Sequence, residues 1–349
     1  MGRHNMIPII LNKDFERIAE IDDFISFIWT TRFYSAGDFE LCADISKIEY
    51  LQIGNYVTRK DDNHAGIIEK VQIVRTDESQ EMIIATGRSI LQILSRRVIA
   101  TQTQLSGLVT QGIILLIEEN IMNPANAARR INNFSIENNS QSREELDAQF
   151  TGENLLETIS SLCETYSIGE DMILDDNNIF AFKLYDGIDR SYNQSENPYV
   201  VFSDTYDNLL TSEYDTDFTE YATDVLVGGE GEGIYRTFVW SAKDSQEGLN
   251  RFEKFLDASN AVTNENIITQ ETYEKQLEGL GLEEVTKYTT AFSGEVDFTN
   301  VELGVDINVG DICTIENSKW GMYINSRLVE VIESIGEDGT YAAVPTFGT

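Results

Sequence analysis

The sequence predicts an α+β fold that is mainly β, in which two small β-barrel-like domains are joined and interrupted by α/β segments. Short runs rich in Ile, Val, Phe and Tyr recur between turn signals before residue 100 and again after residue 200. Between these regions, apolar residues recur at helical intervals. We therefore predict a first β-barrel-like domain over 1–100, a small α+β domain over 101–200, and a second β-barrel-like domain over 201–349 with a helical insert near 244–282.

The first hundred residues contain little proline and several apolar runs of strand length. Alternation of apolar and polar residues between Phe39 and Ala43 is typical of a half-buried strand. The polar stretch 61–65 lies between two apolar runs and predicts a hairpin tip. Strands are expected over 24–34, 39–43, 57–59, 66–74 and 82–87.

The middle region carries two helical patterns. Val109, Ile113, Ile117 and Ile121 recur every four residues and form one stripe of an amphipathic helix. A second helix is expected after Thr151, because a threonine there can act as the N-cap. The polar residues 175–178 separate two short apolar runs and predict a further hairpin.

The last third returns to β patterning with one helical interruption. The interruption is predicted from apolar spacing over 249–256 and again over 273–280. The glycine-rich run 228–233 contains two glutamates and is not followed by lysine, so it is interpreted as a loop between two strands and not as a phosphate site. Strands are expected over 199–202, 222–227, 235–240, 286–292, 312–316, 322–335 and 340–344.

The charge balance excludes several functions. The 349 residues contain 60 acidic and 25 basic side chains, giving a net charge of -35. Duplex recognition and docking on an anionic membrane both need an excess of Lys and Arg. No apolar run has the length of a membrane span, and no signal peptide is expected. Cys42, Cys163 and Cys313 are widely spaced and predict three buried free thiols.

Catalytic motifs are missing from the sequence. It contains no GxSxG, HExxH or P-loop motif, and its two histidines are His4 and His64. Acidic turns at 175–177 and 215–217 do not complete an EF-hand, so they are interpreted as solvated turns. We therefore predict no catalytic residue, no cofactor and no metal ligand. Counting carboxylates leaves a glycosidase-like pair open, and Trp29, Trp240 and Trp320 leave a carbohydrate platform open against ordinary packing.

Acidic residues are concentrated in the segment 203–235, which contains nine of them and no Lys or Arg. One interpretation is a solvated edge of the second β domain, and the other is a continuous acidic surface that lines a channel. The candidate residues are Asp204, Asp207, Glu213, Asp215, Asp217, Glu220 and Asp224.

Several segments, read in order, resemble the Gp37-like tail protein family of siphophages and prophages, the tail hub proteins. They are 29–34 (WTTRFY) with 37–41 (GDFEL), 66–71 (GIIEKV) with 86–99, 250–258 (NRFEKFLDA), and 309–315 (VGDICTI) with 326–331 and 345–348. The structural signature residues are Gly37, Phe39, Gly66, Gly87, Arg88, Arg97, Arg251, Glu253, Gly310, Asp311, Arg327, Phe347 and Gly348.

These signature residues are also expected to shape the fold. Gly37 fits a tight turn with unusual φ, and Gly310 with Asp311 fits a turn that starts a hairpin. Arg251 and Arg327 are rare basic residues that we expect to pair with buried or interfacial carboxylates, the alternative being ordinary surface arginines.

The resemblance implies a tail-hub fold similar to that of contractile-phage baseplate hub proteins. It implies a homotrimeric ring that joins the tail tube to the tip and encloses the DNA channel, assembled in the bacterial cytoplasm and located at the virion tail tip. The implied partners are the distal tail or tail tube protein, the tape measure protein, and tip or receptor-binding proteins. DNA is expected to pass without specific binding, and the chain is not expected to insert into a membrane.

The resemblance also bears on the alternatives. Some related hubs carry a C-terminal lytic or receptor-binding extension, which we do not expect after Gly348. A structural protein is therefore favoured over an enzyme. The competing hypotheses are a cell-wall polysaccharide hydrolase at the tail tip and a receptor- or carbohydrate-binding tip module.

Overall fold

The chain forms two compact units, Met1–Thr211 with Gly294–Thr349, and Ser212–Ser293. The computed structural model describes residues 6–60, 62–75, 81–259, 270–285, 289–293, 296 and 298–348, so His4 and part of the predicted helical insert lie outside the described residues. Within these ranges, no helix combines the length and the apolar character needed to cross a membrane.

The first unit begins with seven strands that end in a 3-10 helix at Ile90–Arg96. The first two of these strands are short and were not predicted from the sequence. The bounds of the other five follow the predicted apolar runs closely. The strands are β1 Pro8–Leu11, β2 Arg17–Glu20, β3 Phe24–Arg32, β4 Asp38–Asp44, β5 Tyr56–Arg59, β6 Ala65–Arg75 and β7 Glu81–Ser89.

The middle of the chain contains both helices and strands. Helix α1 (Val109–Ile117) continues as a π-helix to Met122, and α2 spans Leu155–Thr165. The N-cap of α2 is Asn154, whose side chain accepts hydrogen bonds from Leu156 N and Glu157 N, and not the predicted Thr151. The strands here are β8 Thr103–Leu108, β9 Phe134–Asn138, β10 Glu145–Phe150, β11 Gly169–Leu174 and β12 Phe180–Tyr185.

The remaining elements belong to both units. The short strand β13 (Val201–Ser203) precedes the second unit along the chain, and the last three strands follow it. The other elements are β14 Glu213–Asp217, β15 Asp224–Gly228, β16 Phe238–Ser241, β17 Glu253–Asp257, α3 Gln270–Glu284, β18 Thr289–Ser293, β19 Ile312–Asn317, β20 Met322–Gly336 and β21 Tyr341–Gly348.

Eleven strands of the first unit form one sheet in the order β13-β19-β20-β3-β4-β7-β6-β5-β1-β2, with β21 paired to β20. The mainly β, α+β fold class is therefore confirmed. The two barrel-like domains differ from what is observed, because β20 pairs antiparallel with β3 and joins strands of both predicted domains into one sheet. In the described part of the chain this sheet stays open, with β2 and β13 at the ends of its order.

Two large apolar clusters lie among the described residues of the first unit. One lies among the N-terminal strands and includes Phe27, Trp29, Phe39 and Leu41. The other contains residues of α1, α2, β11 and β12 together with Ala65, Ile67 and the helix at 90–96. This second core crosses the predicted boundary at residue 100, because the α+β region has no separate core and packs on the first strands. Cys42, Cys163 and Cys313 are buried free thiols, which confirms that prediction.

The second unit is a small α/β layer. Its sheet has the order β16-β15-β17, and β14 pairs separately with β18. Val225, Val227 and Leu277 belong to a core between this sheet and α3. The predicted helix over 249–256 is wrong, since β17 occupies this segment and pairs parallel with β15. The glycine-rich run lies between β15 and β16, as expected of a loop joining two strands.

Candidate functional site

The signature residues Gly66 and Gly87 both lie against the ring of a third, Phe39. Phe39 lies opposite Gly87 in the β4–β7 pairing and stacks on Trp29 with ring centroids 5.9 Å apart. A Cβ on Gly66 would collide with the Phe39 ring, and one on Gly87 would collide with the carbonyl of Ile67 and lie 2.9 Å from the ring. These glycines therefore provide the space in which a buried aromatic side chain crosses the sheet.

Two neighbouring signature residues act differently. Gly37 does not have the unusual φ that the sequence predicted; a side chain there would instead collide with the backbone carbonyl of Thr30. Arg88, opposite Asp38 on β7, pairs with Glu69 through Nε at 2.7 Å and Nη2 at 3.0 Å. Close strand packing, and not a left-handed turn, requires the glycine at position 37.

A second cluster surrounds Phe33, directly after β3. The Phe33 ring is fully buried and lies below the guanidinium of Arg327, 4.8 Å from ring centroid to Cζ. Gly310, with φ +101°, passes so close that a Cβ there would lie 2.5 Å from the ring. Arg327 Nη1 donates to the Gly310 carbonyl at 2.5 Å. Arg327 therefore holds a turn and an aromatic ring; the carboxylate partner predicted for it is not found among the described residues.

Asp311 fixes the same turn from the other side. Its side chain is 2% exposed and accepts hydrogen bonds from Ile188 N at 2.7 Å, Arg190 Nε at 2.8 Å and Asn308 N at 3.0 Å. Both carboxylate oxygens are used, which is how a buried carboxylate is stabilised. The predicted turn at Gly310 and Asp311 thus precedes the β19–β20 hairpin and also anchors residues 188–190.

The remaining signature residues of the first unit are also structural. Arg97 ends the 3-10 helix and donates through Nε to the carbonyl of Arg129 at 3.1 Å. Phe347 lies in β21 with its ring 5.7 Å from that of Phe202. The carbonyl of Gly348 accepts a hydrogen bond from Ser326 Oγ at 2.8 Å. The end of β21 is therefore tied to the underlying sheet.

In the second unit, Arg251 has the carboxylate partners expected of it. Its Nη1 lies 2.5 Å from Asp224 Oδ1, and its Nε lies 2.5 Å from Glu253 Oε1. Asp224 is 2% exposed and also accepts hydrogen bonds from Thr223 and Ser245. The prediction of Asp224 as a surface residue is therefore wrong, because these donors hold its carboxylate inside the unit.

The other candidate acidic residues divide between the two units. Asp204 and Asp207 belong to the first unit, where Asp204 accepts a hydrogen bond from Ser318 N at 2.8 Å. Glu213, Asp215 and Asp217 are exposed on β14. Because side chains alternate along a strand, these three carboxylates share one face of β14. Glu220 is exposed just beyond them and pairs with Lys254 at 3.3 Å.

A polar network joins the β5–β6 hairpin to β11. His64 Nδ1 lies 2.5 Å from Asp62 Oδ1, and Nε2 lies 2.9 Å from Asp171 Oδ2. Burial disfavours the charged imidazole, but the carboxylates of Asp171 and Asp62 outweigh burial and raise the pKa of His64 to about 10. Arg59 continues the network, since it pairs with Asp62 and with Glu333 of β20.

Glu170, next to Asp171, is a buried acid. Its side chain is 1% exposed; Ser160 donates to Oε1, and Oε2 has no partner among the described residues. Burial, together with the charge of Asp171, raises the pKa of Glu170 to about 8. In the described ranges, no group of three His, Cys, Asp or Glu side chains is placed to hold a metal ion.

The three tryptophans differ in exposure and in the unit to which they belong. Trp29 is buried, whereas Trp240 and Trp320 are 48% and 49% exposed and belong to different units.

A model of the Siphovirus ReqiPepy6 Gp37-like protein family matches residues 7–349 of the chain. The chain belongs to this family. The resemblance inferred from the sequence is thereby confirmed, and the Gp37-like protein is a component of a phage tail.

Three solved structures with a similar fold are described as tail proteins. The 43 kDa tail protein of prophage MuSo2 from Shewanella oneidensis superimposes with a TM-score of 0.58 at 11% identity, covering 98% of both chains. The tail protein from Neisseria meningitidis MC58 gives 0.56 at 14% identity, covering 98% of this chain and 96% of the other. Prophage tail protein gp18 from Listeria monocytogenes EGD-e gives 0.55 at 14% identity, covering 97% and 94%.

None of the curated protein sequences matches this Gp37-like protein. At 11–14% identity the solved structures establish the fold alone. The sequence pattern did not predict the polar network of Asp62, His64 and Asp171, because Asp171 lies 107 residues from His64 along the chain and no motif links them. The signature glycines were found, but their shared neighbours, Phe39 and Phe33, emerge only from the strand pairing.

Proposed function

We propose that this Gp37-like protein is a structural subunit of a tail hub, which forms a ring that joins the tail tube to the tip and encloses the DNA channel. The observation that carries the proposal is the family match over residues 7–349, which covers nearly all of the chain. The fold that it shares with tail proteins over nearly their whole length supports the same conclusion. The signature residues described above serve packing and turns, as expected of a structural protein.

The proposed ring is a homotrimer assembled in the bacterial cytoplasm. Its neighbours would be the distal tail or tail tube protein, the tape measure protein, and tip or receptor-binding proteins. Closed rings need a different surface of each copy on either side of the contact. The hub would therefore present at least two distinct faces to copies of itself, in addition to its surfaces for neighbouring tail proteins.

The row Glu213, Asp215 and Asp217 supports a role for the acidic charge in the channel. Three exposed carboxylates on one strand face create a negative potential that acts over roughly 8–10 Å at physiological salt. DNA phosphates would be repelled by such a wall and would slide past it without binding. We propose that this row, together with Glu220, faces the channel of the assembled hub.

Native mass spectrometry of the full chain, alone and mixed with the distal tail protein of the same phage, tests the ring. A trimer in either sample is the expected result, and negative-stain images of it should show threefold symmetry. A strictly monomeric chain in both samples would contradict the proposal. Incubation with purified cell walls tests the hydrolase alternative, for which release of soluble wall fragments would be the positive result.

A further inference from the structure

The three-stranded sheet of the second unit has one face that α3 does not cover. Along β16, Val239 packs with the core while Phe238 and Trp240 lie on the opposite face. Along β17, Leu256 packs with the core while Phe255 lies on the opposite face. Phe238, Trp240 and Phe255 are 49%, 48% and 52% exposed. We call the surface formed by these three rings, Arg236 and Arg251 the aromatic–arginine face.

Two arginines are laid across these rings. The Cζ atom of Arg236 lies 5.6 Å from the ring centroid of Phe238 and 5.5 Å from that of Phe255. The Cζ atom of Arg251 lies 4.9 Å from the ring of Trp240. Each guanidinium is thus within the range of a cation–π contact. Rings and guanidinium groups therefore alternate across the face.

Both arginines are held in place by further bonds. Arg236 donates to the carbonyls of Gly229 at 3.0 Å and Gly228 at 2.9 Å, and pairs with Asp257 at 2.6 Å. Arg251 is fixed by Asp224 and Glu253, as described above. Side chains that are already immobilised lose little conformational entropy when a partner binds. The face is therefore preorganised for binding.

The chemistry of the face suits a protein and not a sugar. A carbohydrate platform needs an open aromatic ring face, but here guanidinium groups lie over all three rings. Trp, Phe and Arg, in contrast, are the residues enriched at the centre of protein interfaces. Exposed apolar side chains that are contiguous on one sheet face mark such interaction sites.

The charge of the chain bears on which protein partner this face binds. Copies of a chain with net charge -35 repel one another over most of their surface. On the aromatic–arginine face, Arg236 and Arg251 offset two of the three charges of Asp257, Glu253 and Asp224. Two copies can therefore approach here with less repulsion than over the acidic remainder of their surface. We propose that the aromatic–arginine face docks against a second copy of this chain, an inference that rests on the ring assembly proposed above.

Charge insertion into the face tests this contact. Trp240→Glu and Phe255→Glu are made separately in the full chain, and self-association is followed by sedimentation velocity over a range of concentrations. The matched control is Trp320→Glu, which introduces the same charge at an equally exposed tryptophan of the other unit. Circular dichroism and thermal melting establish that each variant is folded.

The expected result is at least a tenfold weaker self-association for Trp240→Glu and Phe255→Glu, with Trp320→Glu like the wild type. If the wild type associates and all three variants associate equally well, the docking surface is wrong but the ring stands. If the variants lose only the binding of the distal tail protein, the face binds a different partner and the second-copy assignment is overturned. A wild type that is monomeric at every concentration, with or without the distal tail protein, overturns the ring and this contact together.

Discussion

Arg251 places Nη1 2.5 Å from Oδ1 of Asp224, an acid whose side chain is 3% exposed. The pKa of Asp224 is lowered, because burial, which raises it, is outweighed by the hydroxyls of Ser245 and Thr223, the amide of Gln246 and the charge of Arg251. Removing one partner of such a pair leaves a buried charge without full compensation. The contact links the loop before β17 to the first residue of β15.

We therefore expect Arg251→Met to lower the melting temperature of the second unit. Arg236→Met is the matched control, since its partner Asp257 is largely exposed and regains water when the arginine is lost. Limited proteolysis within Ser212–Ser293, combined with thermal melting by circular dichroism, measures the difference. Equal destabilisation by both variants would contradict a special role for the buried carboxylate. Asp224→Asn in the Arg251→Met background should recover part of the loss.

Gly87 provides a prediction about packing. A methyl group at this position would overlap the carbonyl of Ile67 and press on the ring of Phe39. Gly87→Ala is expected to destabilise the first unit by about 1–3 kcal/mol, the usual cost of overpacking a dense core. Gly279→Ala in α3 is the control, because nothing lies within 4 Å of its Cβ position. That helix substitution should stabilise by up to ~1 kcal/mol. Urea denaturation compares the two, and an unchanged midpoint for Gly87→Ala would refute the packing argument.

Strand β7 shows why most strands of the first hundred residues could be predicted: its buried residues alternate with more exposed ones. Strand β2 has no buried residue and gave no such signal. The helical prediction over 249–256 was wrong because of the apolar residues in β17. In β17, Phe255 and Leu256 point to opposite faces of the sheet, one exposed and one against the core, so two adjacent apolar residues imitated a helical stripe. Strand β14 was missed because all five of its side chains are exposed and it therefore lacks an apolar signal.

The single sheet could not be read from the sequence either. Pairing of β20 with β3 joins residues about 300 positions apart, and no local pattern encodes which distant strands meet. The site residues show the same limit. Gly37 was correctly marked as a special position, but the reason is the carbonyl of Thr30 in the neighbouring strand and not its own φ. Steric constraints between strands are visible only after the register is known.

His64 predicts a loss of stability at alkaline pH. Its folded pKa, about 10, is above the unfolded value of 6.5, so its contribution is complete below 6.5 and is lost as the pH rises through 10. The imidazole is 37% exposed, so water screens the carboxylates and we expect a loss of only about 1–2 kcal/mol. Chemical denaturation at a series of pH values measures it. His64→Gln should show a flatter profile between pH 6.5 and 10, and an equally steep one would count against the assignment.

Glu170 predicts a second, lower window. Its folded pKa, about 8, exceeds the ordinary value of 4.5, so folding stability falls as the pH rises between these values. Glu170→Gln keeps the shape of the protonated acid and cannot ionise. We expect this variant to be more stable than the wild type at pH 8, by on the order of 1.4 kcal/mol for each unit of pKa shift. At pH 4.5 the two proteins should be nearly equal. Parallel denaturation curves at the two pH values check both statements.

The acidic row of β14 makes a prediction about DNA. If Glu213, Asp215 and Asp217 keep phosphates from the channel wall, reversing them to lysine should turn a repelling strand into a binding one. The triple variant should therefore retain double-stranded DNA at low salt, whereas the wild type should not. Each phosphate contact releases counterions, so binding should weaken by about 10-fold per contact for a tenfold rise in salt. Filter binding over a salt series gives the slope.

The control for this experiment is a triple reversal of Glu144, Glu145 and Asp147, which are exposed in and beside β10 and change the net charge equally. Free chains would report only total charge, so the assembled hub is the sample that decides. In the hub, only residues that face the channel can meet a DNA strand threaded through it. DNA retention by the β14 variant, and not by the β10 variant, would place the row on the channel. Equal retention by both would mean that the acidic residues serve solubility alone, because position would then make no difference to the phosphates.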